Sequence, residues 1–336
     1  MPPWPLRRGG AVWLAPVVSG LGAAVSLLLP PAAPLFLPGA AARVARAAFR
    51  SRRIVWAFPL AAAVVPCASL FGLIGGGAGA LLSPLVALVF VSLPALALVA
   101  GARDGRRRDE LALLVGAVTA IGLLSVLLGF SISGTDPGAA LAARVDQLLP
   151  ELIAAYRKSG WSESTIEAAT SALGVFHRVL AGHLVGIVLS AAALYGALVV
   201  YPFGRLSGLA ERDVAPGGFA SFRTPVAVTA AFVPAGAVAA LGSGVAARAA
   251  VDVLAVLAVL FFLRGLAIIR ALLDRGRAGL LIRVPVYVLA LQMPIPLLVA
   301  FGGLLDEFFD FRRKFGGGSA GAGDADREVQ GDKGDR

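Results

Sequence analysis

Two stretches of this chain run on almost without charge. Ile54 to Ala100 carries no charged residue, and Ala249 to Ile269 carries only Asp252 and Arg264. Each is long enough to cross the hydrocarbon core of a bilayer, which takes roughly 20 apolar residues per helix. Such runs read as membrane-spanning helices, with lipid as their solvent. Over the 336 residues 58% are hydrophobic and 15% charged, an apolar share that a soluble domain could not hide. The expected fold is therefore an all-α, polytopic transmembrane helix bundle with the lipid bilayer as its solvent.

Reading apolar runs against Arg, Gly and Pro boundaries places spans at 11–30, 54–74, 79–100, 111–131, 178–201, 226–242, 249–270 and 284–304. That makes eight. Segment 31–50, where Pro31, Pro34 and Pro38 precede an Ala-rich stretch with Arg43 and Arg46, is a ninth, short or re-entrant span if protein buries its backbone. Arg7 and Arg8 ahead of an apolar run resemble a secretory signal, but 11–30 exceeds the usual length of such a core and is read as an uncleaved first span. The expected organisation is a short basic start (1–10), a membrane domain (11–305) with an extramembrane loop (134–176), and a disordered Gly- and Asp-rich tail (306–336).

The formal charge of +10 does not point to nucleic acid, because the arginines fall in short clusters between apolar runs. Putting the loop with Arg43, Arg46, Arg50, Arg52 and Arg53 in the cytoplasm places three other basic loops beside it. These carry Arg103 and Arg106 to Arg108, then Arg205, Arg212 and Arg223, then Arg275, Arg277 and Arg283. Strict alternation leaves Arg312, Arg313 and Lys314 outside, a conflict that vanishes if the segment with Pro285, Pro294 and Pro296 is broken or re-entrant.

Within 134–176, Asp136 and Pro137 supply an N-cap and first position. Leu141, Val145, Leu148, Leu149, Leu152, Ile153 and Tyr156 then recur at helical spacing, and Gly160 ends the helix. The spacing predicts an amphipathic helix whose Leu148/Leu152 face is buried against the bundle or the lipid interface. Ser164 with Glu167 suggests a capping box that starts the next helix.

No phosphate loop, nucleophile elbow, HExxH or paired-cysteine motif occurs, and Cys67 is the only cysteine. Neither enzymatic activity nor a cofactor is expected. His177 and His183, six residues apart, lie about 240° apart around a helix and cannot chelate one ion from a single face, so no metal site is expected. His183 sits beside Gly182 and Gly186, a GxxxG arrangement that permits close helix approach and an interhelical hydrogen bond. Asp252 and Arg264 are the charges that lipid makes most costly. Arg248, four residues before Asp252, is its expected ion-pair partner, and Arg264 is expected to snorkel to the cytoplasmic surface. Asp252, His183 and Arg264 are the candidate contacts for a substrate or ion.

Near the C-terminus Gly302-Gly303-Leu304-Leu305-Asp306 is followed by Phe309-Asp310-Phe311-Arg312. This resembles the end of the YybS-like family of uncharacterised bacterial membrane proteins, as do Phe222-Arg223-Thr224-Pro225 and Arg264-Gly265-Leu266-Ala267. The family is grouped by distant similarity with the substrate-capture S components of energy-coupling-factor transporters. The resemblance implies a bacterial cytoplasmic-membrane bundle that binds or moves a small solute, with a separate energising subunit because this chain has no ATP-binding element. The rival expectation is a non-transporting scaffold for envelope or division complexes.

Overall fold

The computed structural model describes residues 10–28, 33–50, 57–75, 79–203, 218–309 and 311. The basic start before residue 10 and the tail beyond 311 lie outside them. Among the described residues the secondary structure is helical, with no strand. The helices are α1 (Gly10–Leu28), α2 (Ala33–Arg50), α3 (Ala57–Gly75), α4 (Gly79–Ala87), α5 (Leu93–Arg103), α6 (Arg108–Ile132), α7 (Pro137–Lys158) and α8 (Glu163–Leu198). They continue with α9 (Val226–Leu241), α10 (Gly244–Arg275), α11 (Leu280–Ala290) and α12 (Ile295–Phe309).

Four helical segments among the described residues are long and apolar enough to cross a membrane: Leu82–Arg103, Arg108–Ile132, His177–Pro202 and Gly244–Arg275. A fifth arises if α11 and α12, bent by 99° across a short break, form one broken span. This is a multi-pass helical protein, and four or five of the expected spans are found among the described residues, while expected spans 11–30 and 54–74 run into residues outside them. Punctuation alters two of the others. The expected span 226–242 stops at Leu241, before the turn at Gly242 to Gly244, and is too short. The expected span 284–304 breaks at Leu291 to Pro294, where the Pro-rich sequence cannot continue a helix. Of segment 31–50, the described residues 33–50 form a helix, α2. It is one of the best-buried elements of the fold, with Ala41, Ala42, Val44 and Ala45 inside.

The chain divides into two compact units, Met1–Gly217 with Ala230–Leu257, and Gly218–Thr229 with Ala258–Arg336. In the first, small residues set the packing, as expected where lipid removes the hydrophobic drive between helices. A Cβ on Gly20 of α1 would lie 2.6 Å from Cys67 Cβ of α3. Hydroxyls then stitch the helices: Ser19 Oγ donates to the Ala40 carbonyl at 3.2 Å, Ser83 to Ala68 at 2.9 Å and Ser92 to Ala61 at 2.7 Å. Between α4 and α5 the chain widens into a π-turn, Leu88–Ser92, just before Pro94. Pro94 has no N–H to return to the Phe90 carbonyl one turn back, and the Tyr195 hydroxyl of α8 donates to that carbonyl instead.

α7 and α8 form an antiparallel hairpin. Asp136 accepts from Gly138 N at 2.8 Å and Ala139 N at 3.2 Å, and Gly160 reverses the chain at φ +80°. The helix is the one expected, but its Leu148/Leu152 face is not buried in the protein: these residues are 48% and 37% exposed, while Gly138 and Ala142 take the inner positions. The cap of α8 is Ser162, which accepts from Thr165 N at 3.3 Å, rather than Ser164.

Candidate functional site

Two polar clusters sit on apolar helices, one in each unit. In the first unit His183 of α8 meets Asp252 of α10, with Nδ1 and Oδ1 2.8 Å apart. The contact has a backbone cause on each side. His183 leaves helical geometry (φ −134°, ψ 31°), which kinks α8, and Gly186 lets α8 press onto α10 so closely that a Cβ there would lie 2.7 Å from Asp252 Oδ1. Gly182, the other half of the GxxxG pair, has nothing near it. The expected Arg248–Asp252 pair does not form, because the carboxylate turns to a different helix. Both side chains stay partly open, His183 at 29% and Asp252 at 16%.

His177 lies elsewhere, with its Nε2 3.3 Å from Asp146 Oδ2 on the α7 side of the hairpin. The two histidines thus serve different contacts. Among the described residues no group of three metal-ligating side chains comes together.

In the second unit Arg264 of α10 does not snorkel. It is buried, donating from Nε to Asp306 Oδ2 at 3.0 Å and from Nη1 to Thr224 Oγ1 at 3.2 Å and to Glu307 Oε2. Glycine again explains the approach. A Cβ on Gly303 would lie 2.8 Å from Gly265 N, so α10 and α12 meet backbone to backbone, and Asp306, three residues beyond Gly303, is delivered to Arg264 on the same face. α12 runs to Phe309, so Asp306 and Glu307 are helical rather than the start of a tail. Sequence reasoning left Thr224, Asp306 and Glu307 out of the site. The signal was present in the three short motifs, which converge on one guanidinium: Thr224 from Phe-Arg-Thr-Pro, Arg264 from Arg-Gly-Leu-Ala and Asp306 from Gly-Leu-x-Asp.

A family model described as a predicted membrane protein (DUF2232) matches residues 25–307. The chain belongs to that family. The match takes in every residue of both clusters, and the description DUF2232 carries assigns no reaction, ligand or partner. No curated protein and no solved structure matches the chain.

Proposed function

We propose that this DUF2232 protein binds a small solute from within a bacterial cytoplasmic membrane, without a catalytic step of its own, and relies on a separate subunit for any energised movement. One observation carries the reading. The His183–Asp252 pair is partly open on an apolar helix at a kink, and intramembrane ionisable groups of this kind mark ion and substrate paths. The resemblance to the YybS-like family, itself grouped by distant similarity with the S components of energy-coupling-factor transporters, implies the same class. Arg264 takes a different role: with its donors committed to Asp306, Glu307 and Thr224 it holds α10 and α12 together and leaves solute contact to His183 and Asp252.

Native mass spectrometry of the protein purified from its own membrane tests this reading. The expected result is a retained small molecule in the wild type that is lost from an Asp252→Asn protein of equal melting temperature. A scaffold is favoured instead by the exposed Leu141, Leu148 and Leu152 of α7, which lie along one helical stripe outside the spans. A wild-type protein that carries no solute but holds a stoichiometric protein partner, lost on Leu148→Asp with Leu152→Asp, would decide for the scaffold.

A further inference from the structure

We propose that one flank of α7, carrying Leu141, Leu148 and Leu152, rests in the headgroup boundary of the protein's own membrane, so that the α7–α8 hairpin lies against the bilayer surface. What His183 and Asp252 bind has no bearing on it. Three observations lead to it.

The first is the width of the apolar arc on α7. Successive residues turn about 100° around a helix. α8 covers the centre of the arc, where Gly138 and Ala142 are buried and Leu149 and Ile153 half-buried. Leu141, Leu148 and Leu152 point within about 40° of one another and about 90° away from that seam, so α8 leaves all three exposed.

The second is depth, which names what covers them. α6, long and apolar enough to span, ends at Ile132 with Leu128, Phe130 and Ile132 exposed, and α7 starts five residues later at Pro137. A Cβ on Gly138 would lie 3.4 Å from the Ala181 carbonyl, and Asp146 meets His177. Residues 177–181 open the segment of α8 that can cross a membrane. The first turns of α7, Leu141 included, therefore sit at the depth where α8 enters lipid. The apolar surface at the end of α6 continues onto α7 instead of giving way to a polar surface. The kink at His183 lies just inside this boundary and lets the hairpin lean away from the line of the span.

The third is the order of side chains around α7. On the side of the leucine flank away from α8 stand Arg144, Glu151 and Lys158, with Arg144 about 40° from Leu148. Seam, leucines and charges thus follow one another around the helix. That is the arrangement of an interfacial helix, whose long cationic side chains lift their charge among the headgroups while the apolar flank sinks below them. Trp161, exposed at the tip and stacked on Tyr156, is of the residue type enriched at the same boundary. With two cations against one carboxylate along the flank, leucine burial rather than charge holds the helix down, and no anionic lipid is needed.

Fluorescence quenching in vesicles tests the placement. Leu148→Cys and, on the opposite side of α7, Ala143→Cys, each in a Cys67→Ser background of the full chain, carry a bimane probe. The vesicles are phosphatidylcholine, with or without phosphatidylglycerol. A nitroxide high on the acyl chain should quench the probe at Leu148→Cys severalfold more than at Ala143→Cys. Iodide, present on both sides of the vesicle, should do the reverse, and omitting phosphatidylglycerol should change neither result. Adding Leu152→Asp with Leu148→Asp should abolish lipid quenching of a probe at Leu141→Cys. The proposal is overturned if iodide reaches Leu148→Cys as well as Ala143→Cys, which would leave the flank open for a partner protein absent from the vesicles. It is also overturned if Leu148→Cys escapes both quenchers until the protein is diluted in lipid, which would mean that a second copy covers it, or if the double aspartate variant keeps its lipid quenching.

Discussion

Arg264 shows how one residue organises its surroundings when lipid excludes water. Its side chain is 8% exposed and that of Asp306 2%, so each charge depends on the other and on Thr224 and Glu307 for solvation. Removing one partner from a buried pair costs about 3 to 5 kcal/mol, while replacing both with apolar residues is often neutral or better. Arg264→Leu and Asp306→Leu should each lower stability by about that amount in detergent denaturation. The double variant should recover part of the loss, short of all of it, because Glu307 and Thr224 would still lack the guanidinium. Full additivity of the two single losses would show that the pair is not the source of the effect.

At the scale of elements, α7 and the start of α8 are held at their turn by charge as well as by caps. Arg157 Nε lies 3.0 Å from Glu163 Oε1 and Nη2 3.1 Å from Oε2, a two-pronged pair beside the Tyr156–Trp161 stack. The hydrogen bond from Arg157 holds the Glu163 carboxyl below its ordinary value and raises the guanidinium further. A carboxyl depressed in the fold contributes stability above its unfolded pKa and loses it as pH falls through the folded value. Proteolysis at the Ser159 to Trp161 turn should therefore quicken as pH drops below about 4, the ordinary glutamate range. Glu163→Gln should cleave at the faster rate near neutrality and show little of this pH dependence. A wild-type rate flat across the acid range would contradict the role given to the pair.

This hairpin is also where the sequence was most legible, because its signals are local: Asp136, Pro137 and Gly160 specify a start and a stop by backbone chemistry alone. The choice of Ser162 over Ser164 as the next cap was not legible, since both are serines before a helix and only the reversal at Gly160 selects between them. The clusters were half legible for a different reason. Spacing along one helix offered Arg248 to Asp252 and an open water surface to Arg264. The partners actually used, His183 and Asp306, are distant in sequence and arrive on other helices. Gly186 and Gly303 make those arrivals close, yet a glycine in an apolar run does not say which helix it will meet.

For the whole molecule, the bend between α11 and α12 bears on where the chain ends. The turn before α11 is basic and internally braced, with Asp274 accepting from Arg270 Nε at 2.9 Å and lying 2.7 Å from Arg283 Nη2, and the arginine bias predicts a cytoplasmic side for it. If α11 and α12 cross as one span, Arg312, Arg313 and Lys314 emerge outside, against that bias. A re-entrant hairpin bent by 99° returns them to the cytoplasm and removes the conflict. Single cysteines in a Cys67→Ser background separate the two arrangements. Cysteines at Arg103 and Ser319 should both resist an impermeant thiol reagent in intact cells and react after the membrane is opened, whereas one at Ser164, in the hairpin loop, should react in intact cells. Labelling at Ser319 as strong as at Ser164, with Arg103 still protected, would mean that α11 and α12 cross the membrane together. Labelling at Arg103 would reverse the orientation of the whole chain.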